Sequence, residues 1–207
     1  MSKKKKTEVI EKNTASDSKA VQSKTYKKAR KKINVRKILL LTIDILLIAV
    51  LIVLDQYTKY LAVIRLKDKP AYPIINGVLE FNYLENHGAA FGMLQNQRVF
   101  FIFVEVIVLG VIAYILYKTP AKKKYIMMHL MLSLIAAGAI GNMIDRIRLN
   151  YVVDFIYIVI INFPIFNLAD MCVTFSTALL VLSLLFFYKE SDLYFISFNQ
   201  KKIRDVK

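Results

Sequence analysis

Cysteine is almost missing from this chain. Cys172 stands alone among 207 residues, so no intrachain disulfide forms and paired-thiol chemistry is excluded. It lies in an apolar run and reads as packing. HExxH, GxSxG and GxGD are all absent, and His87 and His129 show no metal-ligand spacing to each other or to acids. Zinc, serine and presenilin-like intramembrane proteolysis therefore have no support, and no metal or cofactor is expected. Acids are scarce, 15 against 30 Lys and Arg, and no internal repeat is evident. A cleavable signal peptide is not expected either. The basic start is too long for one, and the apolar run after it is nearly a full membrane span.

What the chain has in quantity is apolar surface: 57% of residues, with a mean hydropathy of +0.45. That composition predicts an integral membrane protein. The positive charge is mostly local. Residues 1–37 carry fourteen Lys and Arg against Glu8, Glu11 and Asp17. This stretch reads as a disordered basic cytoplasmic arm beside an anionic membrane surface. Nucleic-acid binding is disfavoured, because the lysines lack regular aromatic interleaving.

Crossing a bilayer takes about 20 helical residues. Four apolar runs meet or approach that length: Ile38 to about Leu61, about Val99 to Tyr117, about Tyr125 to Ile144, and about Leu168 to Tyr188. The loop 118–124, KTPAKKK, and the tail beyond Tyr188 are basic. Basic segments favour the cytoplasmic side, so both termini and this loop are predicted inside. The connections 62–98 and 147–166 then face outward. In 78–91, VLEFNYLENHGAAF, the alternation around Phe81 and Tyr83 predicts a strand, and Gly88-Ala89-Ala90 a close backbone approach. Phe155–Ile161 is too short to span and reads as interfacial or strand-like.

Polar residues then gather at one face. Asp55 and Lys59 end the first run, Asn142, Asp145 and Arg146 end the third, Asn167 and Asp170 open the fourth, and Asp154 lies in the outer loop. Ionisable groups near hydrocarbon are costly and mark chemistry or a polar cavity. Asp154 and Asp170 are the candidate catalytic carboxylates. If they approach each other they share one proton, so that one activates a water while the other polarises a scissile carbonyl. The plainer reading makes each a helix cap or anchor. Asn142 and Asp145, spaced i,i+3, suit a hydrogen-bonded support. Arg146 suits an acid partner, a substrate carbonyl, a lipid headgroup or an interfacial anchor. Asp55 and Lys59, spaced i,i+4, read as a plain helical ion pair. Asp44 and Glu105 have no evident partner or role, and the small residues Ala136 to Gly141 read as helix packing. A membrane-embedded aspartyl enzyme is the leading expectation. A small proton-coupled transporter is the alternative, weakened by acids clustered at one face rather than the midplane. A scaffold using its basic tail is the third.

At DQYTK (Asp55–Lys59), ENHGAAFG (Glu85–Gly92), GAIGNMIDR (Gly138–Arg146), VVDF (Val152–Phe155) and FNLAD (Phe166–Asp170), the chain resembles the lipoprotein signal peptidase, or signal peptidase II, family. The motifs occur in the family's order and spacing, and together they are highly specific. The resemblance implies an α-helical integral membrane protein with four transmembrane helices and a small extracytoplasmic β-cradle, at about 66–95. The peptidase domain would span 38–188, with an outer loop at about 147–166 and a cytoplasmic tail at 189–207. It also implies a bacterial cell-membrane endopeptidase that cleaves prolipoproteins before a diacylglyceryl-modified cysteine and is inhibited by globomycin. Asp154 and Asp170 match the catalytic dyad. Asn86, Asn142, Arg146 and Asn167 match substrate-binding or dyad-orienting positions, and Asp55, Lys59 and Asp145 match supporting ones. The expected partners are diacylglyceryl prolipoproteins and membrane lipids, with no nucleic acid, and the expected state is a monomer. Ala137 departs from a glycine common in the family, a small-for-small change.

Overall fold

The structure, a computed structural model, describes residues 35–88 and 93–196. The chain divides into two compact units, residues 1–40 and 41–207. Of the first unit only residues 35–40 are described, as the start of a helix. The rest of the basic arm, part of the Gly88-Ala89-Ala90 approach and the end beyond residue 196 lie outside the described residues.

Among the described residues four helices are long and apolar enough to cross a membrane: α1 (Val35–Leu66), α2 (Arg98–Lys118), α3 (Ile126–Leu149) and α4 (Leu168–Phe186). Hydrocarbon cannot satisfy backbone N–H and C=O groups, so apolar runs of this length close their hydrogen bonds internally as helices. Their ends follow local chemistry. α2 stops at Thr119, whose backbone is extended ahead of Pro120. α3 ends on Asn150 in the left-handed conformation, φ 71°. α4 opens with a capping box in which Asn167 accepts from the Asp170 N–H and the Asp170 carboxylate accepts from the Asn167 N–H.

α3 is the central helix. Within its most apolar stretch 61% of residues are buried, against 11% for each of the other three. Small residues allow this. A Cβ on Gly138 would collide with the Ala169 carbonyl and Val173, and one on Gly141 would sit 2.6 Å from the Asp55 carboxylate. The small patch therefore does more than pack helices. At Gly141 it makes room for a charged side chain of α1.

α1 and α3 both run past their expected ends, Leu61 and Ile144. Ala62 is buried against Val153 and Phe155, and Asn142, Asp145 and Arg146 near the end of α3 find partners inside the protein, so neither helix stops where hydropathy falls. At this end of the bundle sits a three-stranded antiparallel sheet of β1 (Tyr72–Ile75), β2 (Leu79–Asn86) and β3 (Val152–Ile158), in that order. The cradle expected at 66–95 is thus completed by a strand from the loop after α3, so Phe155–Ile158 is strand while Val159–Ile161 form a short 3-10 turn. Leu84 pairs with Asp154 and Asn86 with Val152.

Asp44 and His129 carried no role in the sequence, and they meet here. His129 Nδ1 lies 2.7 Å from Asp44 Oδ2, and Ser133 donates to Asp44 Oδ1 at 3.2 Å, all three residues buried. Such contacts tie α1 to α3 where water cannot compete. Residues after α4 fold back on the start of α3. Tyr188 stacks on Tyr125 with ring centroids 5.9 Å apart, and Lys124 pairs with Asp192.

Candidate active site

Two carboxylates, one from the sheet and one from a helix start, face a common cavity. Asp154 rides on β3 and is 1% exposed. Its strand pairing puts Asn86 diagonally across, and Asn86 Nδ2 donates to Asp154 Oδ2 at 2.9 Å. The direction of that amide is set by its other end, where Asn86 Oδ1 accepts the Gly88 N–H. Asn167 Nδ2 donates to Asp154 Oδ1 at 2.7 Å. Asp170, at the start of α4, accepts from Asn142 Nδ2 at 2.8 Å and from the Asn167 backbone N–H at 3.1 Å. Asn167 also donates to Asn142 Oδ1 at 3.2 Å. The two aspartates are therefore joined through Asn142 and Asn167. The helix-cap reading of Asp170 holds at the same time, because capping is how its carboxylate is aimed.

Behind the pair lies one buried cation. Lys59 Nζ contacts Asp55 at 3.0 Å, Asp145 at 2.9 Å and the Asn142 side-chain oxygen Oδ1 at 2.8 Å. Three donors meet three acceptors. Since Asn142 accepts from Lys59, its amino group must turn to Asp170. The two acids reach further. Asp55 accepts the Ala169 N–H, next to Asp170, and Asp145 accepts the Val153 N–H, next to Asp154. One ammonium thus clamps the backbone beside both aspartates. Asp55 and Lys59 form the expected i,i+4 pair, but its main consequence is this long-range clamp. Gln56, assigned no role from sequence, braces it by donating to Asp145 at 2.9 Å and to the Gly141 carbonyl at 3.2 Å. Its place inside DQYTK was the available signal.

Arg146 meets an acid from α2. Its Nη1 donates to Glu105 Oε1 at 2.6 Å, and its guanidinium lies 4.8 Å from the centre of the Phe101 ring. Nothing in the sequence linked Glu105 to Arg146, which lie on different helices.

A cavity of about 390 Å³ is lined by the polar Asn86, Asn142, Arg146, Asp154 and Asp170. Apolar side chains including Ile158, Phe166, Met171 and Phe175 line the rest of it. Burial, and then the charge of Asp170, push the Asp154 carboxyl up to about 7. Among the described residues no group of three or more His, Cys, Asp or Glu is placed to hold a metal.

The raised value of Asp154 has a stability consequence with a definite sign. Between pH about 4, where an ordinary aspartate releases its proton, and about 7, the folded protein keeps a proton that the unfolded chain has lost. The contribution of Asp154 to stability is therefore lost as pH rises through that window. Asp154→Asn cannot titrate, so its melting temperature relative to wild type should climb from pH 4 to 8. Thermal unfolding in detergent at several pH values measures this, and a constant difference between the two proteins would refute it.

A four-helix membrane bundle with a buried and a half-buried carboxylate joined through two asparagines at one end, on one cavity, defines a membrane-embedded enzyme. The family model described as "Signal peptidase (SPase) II" matches residues 47–186, and the chain belongs to that family. The chain is 47% identical over 127 residues to the lipoprotein signal peptidase of Caldanaerobacter subterraneus subsp. tengcongensis, covering 61% of this chain and 84% of that protein. It is 40% identical over 148 residues to that of Streptococcus pyogenes serotype M5, covering 72% and 94%. In fold it is similar to a bacterial membrane enzyme solved in meso at 2.3 Å, with TM-score 0.64 and 34% identity over 70% of this chain and 88% of that one. The transporter alternative finds no support.

Proposed function

We propose that this chain is an aspartyl endopeptidase in which Asp154 and Asp170 form the catalytic pair. It removes signal peptides from prolipoproteins, the activity that family membership carries, and it cuts before a diacylglyceryl-modified cysteine. The observation that carries the catalytic assignment is the convergence of both carboxylates, through Asn142 and Asn167, on one cavity.

Two carboxylates coupled in this way share a proton. Asp154, buried and raised to about 7, carries it and polarises the scissile carbonyl. Asp170 takes a proton from the attacking water. The tetrahedral intermediate then collapses as the leaving amine is protonated, and the pair returns to its starting state with one proton shared. Asn86 and Asn167 hold Asp154 by its two oxygens, and the Lys59 clamp keeps both acids in place while bonds change. Arg146, on the same cavity wall, binds a substrate carbonyl. The apolar wall suits the acyl chains of a lipidated substrate. Lateral diffusion brings such a substrate to the site already oriented.

The basic loop 118–124 lies at the end of α2 and α3 away from the sheet, which supports an inside placement for that loop and both termini and an outer-face placement for the site. The peptidase unit then comprises the four helices and the sheet, with the basic arm and C-terminal tail cytoplasmic, and acts as a monomer among membrane lipids. The test is cleavage of a diacylglyceryl prolipoprotein by the purified protein, with the product sequenced and globomycin as inhibitor. Cleavage before the lipidated cysteine, blocked by globomycin, supports this reading. A folded protein that leaves the substrate intact overturns it.

A further inference from the structure

Arg146 is the single cation among the described residues lining the cavity, and the two acids that line it with Arg146 are Asp154 and Asp170. A guanidinium there would be drawn to those carboxylates. It is held elsewhere instead. Glu105 takes its Nη1 at 2.6 Å, and the Phe101 ring takes one face of its plane. Both partners come from α2, and neither belongs to a motif by which the chain resembles its family. The contact is largely withdrawn from water, with side chains 12% and 15% exposed. Glu105 also keeps a second oxygen, Oε2, buried without a hydrogen-bond partner. An acid left half satisfied in the protein interior is costly, and such cost persists at functional sites.

We infer that Glu105 is a positioning residue: it holds Arg146 against α2, off the aspartate pair and with the rest of its fork open to a substrate carbonyl. The inference rests on the aspartyl reading above. The charged groups around the pair are Asp55 and Lys59 from α1, Glu105 from α2, Asp145 and Arg146 from α3, Asp154 from β3 and Asp170 from α4, while Glu85 of the neighbouring β2 is held by Lys67. Asp55, Asp145 and Lys59 are bound to one another in the clamp, one cation between two acids. Only Arg146 is free to exchange one acid partner for another. Without Glu105 the guanidinium moves to Asp154 and Asp170. The carbonyl loses its donor, and the shared proton is lost at lower pH, because a cation within a few ångströms favours the ionised carboxylate.

The experiment compares full-length wild type, Glu105→Gln, Glu105→Asp, Phe101→Leu and Asp154→Asn on a diacylglyceryl prolipoprotein across pH. Glu105→Gln should raise KM about tenfold and move the basic limb of the pH profile down by about one unit. Glu105→Asp, which restores the charge, should bring the limb back toward wild type. Phe101→Leu should raise KM in the same direction by less. An unchanged KM and profile in Glu105→Gln overturns the inference, and so does a fall in kcat with the profile unmoved, the result of a merely structural contact. Where Glu105→Gln does not fold, Phe101→Leu decides, and a wild-type KM there counts against the inference. Asp154→Asn separates the two failures: turnover in that variant defeats the aspartyl reading itself, whatever Glu105 does.

Discussion

Asp154→Asn and Asp170→Asn should each cut prolipoprotein cleavage by about four orders of magnitude or more, the scale of losing one member of a catalytic unit. Asparagine keeps the shape and removes the proton chemistry. It also reverses a hydrogen-bond direction. Both oxygens of Asp154 accept from amides, those of Asn86 and Asn167, and both oxygens of Asp170 accept from N–H groups. An amide at either place satisfies one donor and faces the other with its own N–H. The substitutions should therefore also perturb the site locally, so each assay is paired with a melting curve showing a folded protein. The two variants should fail equally, because activation of water and polarisation of the carbonyl are both required. Measurable turnover in one folded variant would remove that residue from the pair.

Lys59→Met should be the most damaging change away from the pair itself. The side chains of Lys59, Asp55 and Asp145 are only 3–4% exposed. Methionine fills the volume but leaves two buried carboxylates without a counter-charge. Removing one partner of a buried ion pair costs about 3–5 kcal/mol, which in a chain of this size lowers the melting temperature by roughly 10 °C. Cleavage should be lost with it, because Asn142 no longer has its carbonyl held and the Ala169 and Val153 anchors loosen together. Adding Asp55→Asn or Asp145→Asn to Lys59→Met should recover part of the melting temperature and little of the activity. That split distinguishes charge burial from positioning. A Lys59→Met protein that melts and cleaves like wild type would show that the clamp is not needed.

Much of this was legible in the chain. The four apolar runs mark four helices to within a few residues, because a membrane solvent leaves such runs few alternatives. The polar clusters at the ends of α1 and α3 and the start of α4 were visible as costly exceptions, and the strand at Leu79–Asn86 through its alternation. The misses have a common cause. Glu105 meets Arg146 across 41 positions, and Asp44 meets His129 across 85. Periodicity along one helix says nothing about which face of another helix it will meet. Phe155–Ile161 stayed ambiguous for the same reason, since its strand character depends on β2 being beside it.

By itself the sequence determined that the protein lies in a membrane, how many times it crosses, which residues are too polar to be there by chance, and which family those motifs resemble. Each of those follows from composition and local order, where transfer from water to hydrocarbon dominates. Tertiary structure alone decided that one lysine binds two acids and an asparagine, that each acid anchors the backbone beside one aspartate, and that Arg146 is turned toward α2. These contacts join residues up to 114 positions apart. They exist only because α3, thinned by its glycines, lets α1 and α4 close to hydrogen-bonding distance around it.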